Sequence, residues 1–222
     1  MKTKTLKFAF FISSALFVFT SIAAQTGYTE IYPNYRVEIS NERLDVNQYN
    51  SKFKGSMLDY TETRHDGTQI QVKSYQKNSN FEVYERPAHP AIHTVYKEFY
   101  ADGRLKQKGV LLPYQVKIGK WIRCDNRGNC SITDHENRPD TYGYNKILQY
   151  LESEGIYHKT GGTTWKCTFW YTPASYTWGV RIDKNGKQYK MLNFDSRGER
   201  EIREYDLTEY TNKVPVYKSF NQ

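Results

Sequence analysis

Apolar and polar positions alternate in short runs through the first half of the chain. Residues 35–39, 57–61, 70–75 and 81–84 read as half-buried strands, most plainly at Ile70-Gln71-Val72-Lys73, where every second side chain points to one face. Polar turns such as His65-Asp66-Gly67 separate them. Arg86-Pro87-Ala88-His89-Pro90 then breaks the pattern, because two prolines remove two backbone donors, and marks a connection or a domain edge. The period changes over 144–154, where Tyr144, Ile147, Leu148 and Leu151 recur at i, i+3, i+4 and i+7 as the stripe of an amphipathic helix. Gly155 suits the left-handed position that ends such a helix, with Ile156 folding back on Leu151. From Trp165 onward strand patterns return. Residues 178–182 and 187–194 flank Asp183-Lys184-Asn185-Gly186, and Asn-Gly between β-like runs predicts a tight hairpin, since both central residues tolerate positive φ. A further turn, Asp195-Ser196-Arg197-Gly198, leads into a strand at 199–205. The predicted class is mainly β, with antiparallel hairpins in a meander and one amphipathic helix packed on a sheet.

The amino terminus follows a different rule. Lys2, Lys4 and Lys7 precede an apolar run at 8–19 that is too short to span a bilayer comfortably, and small residues follow at Ser21 and Ala23 or at Ala24. This is the pattern of a secretory signal peptide over 1–24, and it places the mature chain in the periplasm or outside the cell, with no transmembrane span. The remainder divides into an N-terminal β region at 25–95, a hairpin segment at 96–135, and a helix followed by a β-meander at 136–222.

Composition narrows the class. A mean hydropathy of -0.82 over 222 residues excludes a multi-span membrane protein. The 20 Tyr, 4 Trp and 11 Phe argue against disorder, because solvated low-hydrophobicity chains carry few aromatics. The formal charge of +8 is dispersed, as in Arg200-Glu201-Ile202-Arg203-Glu204, so it offers no concentrated patch for nucleic acid.

Three cysteines remain in an oxidising compartment. Cys124 and Cys130 enclose the turn-rich Asp125-Asn126-Arg127-Gly128-Asn129, which brings two flanking strands face to face and predicts a disulfide. A metal reading needs two more ligands at suitable spacing, and none is near. Cys167 lies in the alternating stretch Thr164-Trp165-Lys166-Cys167-Thr168-Phe169-Trp170 and reads as a buried small hydrophobe.

Several turns share one design: an aromatic or aliphatic residue, two or three polar residues, then Gly, as in Phe99-Tyr100-Ala101-Asp102-Gly103 and Phe194-Asp195-Ser196-Arg197-Gly198. The first continues through Arg104-Leu105-Lys106-Gln107-Lys108-Gly109 to Gly119-Lys120-Trp121 and Asp125-Asn126-Arg127-Gly128. This stretch, about 97–132, resembles the bacterial variant of the MORN repeat, a β-hairpin unit of roughly 22 to 25 residues. It departs from that pattern where 110–118 lengthens the spacing and where Cys124 stands near an expected aromatic. The resemblance implies a β-sheet scaffold with roles in scaffolding, membrane-associated assembly or antitoxin-like components, and no catalytic residue carries over.

Candidate chemistry is sparse. His89 and His93 stand four apart, but Pro87 and Pro90 oppose the helix a metal pair needs, which leaves loop histidines in solvent. Asp134-His135-Glu136 reads as a polar turn, and a Cys167–His158 nucleophilic pair carries no recognisable signature. There is no Gly-x-Ser-x-Gly, no His-Glu-x-x-His and no phosphate loop, and no cofactor is expected. Aromatics are concentrated at Trp165, Phe169, Trp170, Tyr171, Tyr176 and Trp178. Strand alternation sends half of such a set inward as core and leaves the rest as a contact surface for a protein or glycan. In sequence parity Trp170, Tyr176 and Trp178 form one set, and Trp165, Phe169 and Tyr171 the other. With Trp121, the named candidates describe a non-catalytic binding or scaffold protein of the cell envelope. The alternative is a hydrolase of envelope polymers, which needs paired carboxylates in a cleft.

Overall fold

The computed structural model describes residues 27–136, 142–160, 164–195, 197–204 and 216–219. The expected signal peptide at 1–24 and the last residue of the strand expected at 199–205 lie outside them. The chain is mainly β. Strands β1 (Gly27–Ile31) and β2 (Tyr35–Ile39) form a hairpin. A seven-stranded antiparallel meander follows in chain order: β3 (Leu58–Thr63), β4 (Gln69–Ser74), β5 (Phe81–Arg86), β6 (Thr94–Phe99), β7 (Leu105–Leu112), β8 (Val116–Cys124) and β9 (Cys130–Asp134). Helix α1 (Tyr144–Ser153) then leads to a five-stranded meander of β10 (Trp165–Thr172), β11 (Thr177–Lys184), β12 (Lys187–Phe194), β13 (Arg200–Glu204) and β14 (Val216–Ser219).

Local chemistry explains the joints. Helix α1 buries Tyr144, Ile147, Leu148 and Leu151 at the predicted spacing. It ends in a Schellman motif: the Ile156 N–H donates to the Leu151 carbonyl at 2.8 Å, the Gly155 N–H donates to that of Glu152 at 2.7 Å, and Gly155 sits at φ 63°. Asn185 and Gly186 both take positive φ in the two-residue turn between β11 and β12, as the Asn-Gly rule predicts. The recurring turn unit rests on an aspartate. Asp125 Oδ1 accepts the N–H groups of Arg127 and Asn129, and Asp195 Oδ1 accepts those of Arg197 and Glu199, all at 2.8–2.9 Å. Cys124 and Cys130 are direct cross-strand partners and are joined by the expected disulfide, while Cys167 is free.

Two cores result. The inner face of the seven-stranded sheet packs Val72, Val83, Phe99 and Ile122 beneath the segment that carries Ile39, Leu44 and Tyr49. The second core joins α1 to Phe169, Trp178, Val180 and Leu192 of the five-stranded sheet. Val110, Leu112 and Ile118 belong to this second core, whereas Leu105 and Ile122, on the same two strands, belong to the first. Residues 110–118 therefore carry the end of the β7–β8 hairpin into the core that also holds the helix.

The prolines at 87 and 90 lie in a connection, as expected: a loop holding a cis His89–Pro90 bond joins β5 to β6, which pair with each other in the meander. One expectation is corrected. Trp178 does not share a face with Trp170. It pairs directly with Tyr171, because the β10–β11 turn resets the parity that the sequence carries across it.

Candidate functional site

The inner face of the seven-stranded sheet is covered, but its outer face is not. Register places Glu82, Glu98, Gln107, Arg123 and Ser131 in one row across β5 to β9, beside a row of Tyr84, Tyr96 and Gly109. The outward parity of these strands is polar and aromatic, while their inward parity is Phe81, Val83, Val95 and Phe99. Trp121 occupies the β8 position beside Gly109, and a Cβ on Gly109 would overlap its indole. The glycine therefore lets the ring lie flat on the sheet, an arrangement that fills the gap left by a missing side chain. Tyr96 at 6.1 Å and His135 at 5.9 Å flank the indole, and the Lys117 ammonium lies 4.2 Å from the ring centre. These neighbours leave Trp121 only 4% exposed, so it is a floor for this face and presents little surface of its own.

Beside that floor lies a cleft of about 640 Å³, walled by Tyr100, Gln107, Arg123, Ser131 and the disulfide. Tyr100 is fixed by its hydroxyl, which donates to the Cys124 carbonyl at 3.0 Å. Glu98 accepts from Lys106 at 2.8 Å, from Gln107 Nε2 at 2.7 Å and from Asn80 at 3.0 Å. Burial opposes its ionisation, yet these three donors outweigh burial and hold its carboxyl below the usual range. With Nε2 committed to Glu98, Gln107 Oε1 has no protein donor. Glu82 accepts from the Tyr84 hydroxyl at 3.0 Å and, at 3.5 Å, from that of Tyr96. Burial pushes the Tyr84 phenol up to about 12, with the Glu82 carboxylate adding to the effect.

A second cleft, of about 580 Å³, opens where α1 begins, and Glu30, Arg36, Lys120, Asp134 and Glu136 line it. Glu136 Oε1 accepts the Tyr144 N–H at 3.1 Å, closing a helix start whose own Gly143 has no side chain to cap it. Burial pushes Glu136 up to about 7 against that hydrogen bond, with the Asp134 charge assisting.

The aromatic cluster at 165–178 does not form one surface. Trp178 is 2% exposed and belongs to the second core, with Tyr171 packed on it at 4.7 Å. Trp165 is half-buried between the Lys159 and Lys184 ammonium groups, at 5.3 and 5.1 Å. Trp170 lies on the outer face of the five-stranded sheet over Gly179, repeating the arrangement of Trp121 over Gly109, and Tyr176 sits in the turn. Cys167 is buried and burial pushes its thiol up to about 12, while His158 is turned to Glu152 at 3.0 Å, so neither is poised as a nucleophilic pair. His93 is no solvent histidine. It is 3% exposed, packs 4.8 Å from the Tyr35 ring, and burial lowers it to about 4. The expected polar turn at Asp134-His135-Glu136 is present, since Asp134 accepts the Glu136 N–H at 3.0 Å, but its last two residues serve the indole and the helix. Among the described residues no group of three or more His, Cys, Asp or Glu is placed to hold a metal ion.

Tyr84, Tyr96, Tyr100 and Arg123 were not singled out from sequence. Their signal was the alternation of Phe81-Glu82-Val83-Tyr84 and Val95-Tyr96-Lys97-Glu98, which assigns the aromatics to the outer parity. No known protein family matches the chain, and no curated protein matches it.

Proposed function

We propose that the chain is an exported binding protein of the cell envelope that holds a glycan on the outer face of its seven-stranded sheet. One observation carries the reading: an aromatic wall, Tyr100, and polar groups at Gln107, Arg123 and Ser131 converge on a cleft of about 640 Å³. That size lies within the roughly 300–1,000 Å³ of small-ligand sites. Sugar rings present apolar C–H faces and hydroxyl edges, which suit a ring face bordered by amide and charged side chains. The aspartate-tied turn and the disulfide hold the rim before any ligand arrives, which limits the ordering cost of binding. The Cys124–Cys130 bond suits an oxidising compartment, and the basic, then apolar, amino terminus supports export. The MORN-like stretch at about 97–132 forms β6 to β9, the strands that line the cleft.

An oligosaccharide array probed with the mature protein and with a Tyr100→Ser, Gln107→Ala double variant tests this. Wild type is expected to capture at least one oligosaccharide, and the variant to lose it while keeping its far-ultraviolet spectrum. Capture by neither protein, or equal capture by both, refutes the reading.

A second reading, hydrolysis of envelope polymers, is favoured by Glu136 alone, a carboxyl raised to about 7 beside Asp134 and Glu30 in the second cleft. Release of reducing sugar from a polymer by wild type and not by Glu136→Gln would establish it.

A further inference from the structure

Two cations of β8 on the outer face form no ion pair with a carboxylate. Lys117 and Arg123 lie on β8 on either side of Trp121, and among the described residues no ion pair reaches either of them. Around the cleft other cations are paired: Lys106 holds Glu98 at 2.8 Å, and across the adjoining turn Arg104 holds Asp102 at 2.7 Å. Lys117 folds over the indole, and its ammonium is pushed below its ordinary range, by burial first and then by the Arg123 charge. His135, on the far edge of the same indole, is lowered by burial and then by Lys117. Three basic groups thus stand around one buried indole, and the two carboxylates that line the cleft, Glu98 and Asp125, are each already occupied by three donors.

From this arrangement we infer that the glycan is an acidic one, its carboxylate received by Arg123 and Lys117 over Trp121 and its neighbouring ring seated against Tyr100 in the cleft. The inference rests on the glycan-binding reading above and names its substrate class. A guanidinium offers a planar fork that matches a carboxylate, and Lys117 supplies a second, mobile charge. The Gln107 amide and the Ser131 hydroxyl on the cleft wall meet the sugar's hydroxyl groups. An acidic peptide satisfies the cations and leaves the Tyr100 wall and these polar groups unused. A neutral glycan does the reverse.

Calorimetric titration of the mature protein at low salt separates these cases. The probes are tri-galacturonate and a hyaluronan tetrasaccharide, the neutral galactotriose and chitotriose, and tetra-glutamate. The acidic sugars are expected to bind at least tenfold more tightly than the neutral ones and than the peptide, and to weaken as salt screens the contact. A Lys117→Gln, Arg123→Gln double variant is expected to lose that tenfold preference with an unchanged melting temperature. Neutral and acidic sugars binding alike overturns the acidic assignment and leaves the glycan reading standing. Tetra-glutamate binding as tightly as the sugars reduces the site to a charge patch. Preference for acidic sugars that survives in the double variant moves the site elsewhere, and binding of none of the sugars overturns the glycan reading as well.

Discussion

At the scale of single residues, the least predictable positions are those whose role depends on a partner far along the chain. Gly109, read from sequence only as part of a recurring turn unit, and Gly179 each make room for a tryptophan on the neighbouring strand. Gly109→Ala is expected to lower stability by about 1–3 kcal/mol through overpacking, and a Gly109→Ala, Trp121→Leu double variant to recover part of it. Denaturant melts check both; equal losses in the single and double variants contradict the coupling. His93 and Glu136 make opposite pH predictions. Burial lowers His93 from 6.5 to about 4, so the unfolded chain binds the extra proton. Stability from this group is full above pH 6.5 and is lost as pH falls to about 4, by roughly 3 kcal/mol in all. Glu136 is raised from 4.5 to about 7, so its contribution is full below pH 4.5 and is lost as pH rises to about 7. Between pH 4.5 and 6.5 the two slopes oppose each other. In His93→Leu the acid-side loss is expected to disappear, and in Glu136→Gln the loss toward pH 7. Chemical melts across pH 4 to 7.5 read both, and an unchanged profile in either variant refutes its assignment.

At the scale of elements, turn chemistry carried most of what the sequence disclosed. The Asn185-Gly186 hairpin, the Gly155 helix end and the Cys124–Cys130 clamp each depend on neighbours within a few residues, and all three formed as expected. What depended on crossing a turn failed, because Trp178 changed face once the β10–β11 register was set. Long-range charge pairing was also invisible. Lys97 and Lys108 are direct cross-strand partners, a repulsive pair made tolerable by Glu42 at 3.1 and 3.4 Å and by Glu85, which reaches Lys97 at 3.0 Å. Glu42→Ala is expected to cost about 2–4 kcal/mol, since it leaves two poorly solvated ammonium groups opposed, and adding Lys108→Met should restore most of it. A loss that Lys108→Met fails to reduce would count against the bridge. Reduction of the Cys124–Cys130 bond is expected to remove roughly 2 kcal/mol without unfolding the meander. Circular dichroism with and without a reductant reads this, and collapse of the β signal contradicts it.

At the scale of the whole molecule, alternation and one helical period sufficed for the class, mainly β with a helix packed on sheet, because both signals are local. They could not show that the strands before and after Arg86-Pro90 form one seven-stranded sheet, or that the end of the β7–β8 hairpin shares a core with α1. The candidate site was legible in the same uneven way. Of the residues named from sequence, the cysteine pair lines the cleft and Trp121 is buried beside it, but the densest aromatic stretch, 165–178, is divided between core, sheet face and turn. Aromatic density measures how much ring surface a segment carries, while the sheet register decides which rings share a face. Tyr84, Tyr96 and Arg123 come from three separate strands and two adjacent rows of the outer face, and only strand pairing brings them together. The account therefore stands on where a ligand touches. Amide hydrogen exchange of the mature protein, free and saturated with the tightest oligosaccharide from the array, reads that contact directly. Slowed exchange confined to 96–108 and 121–131 is the predicted result, and protection centred on Glu30, Glu136 and Asn145 would contradict it.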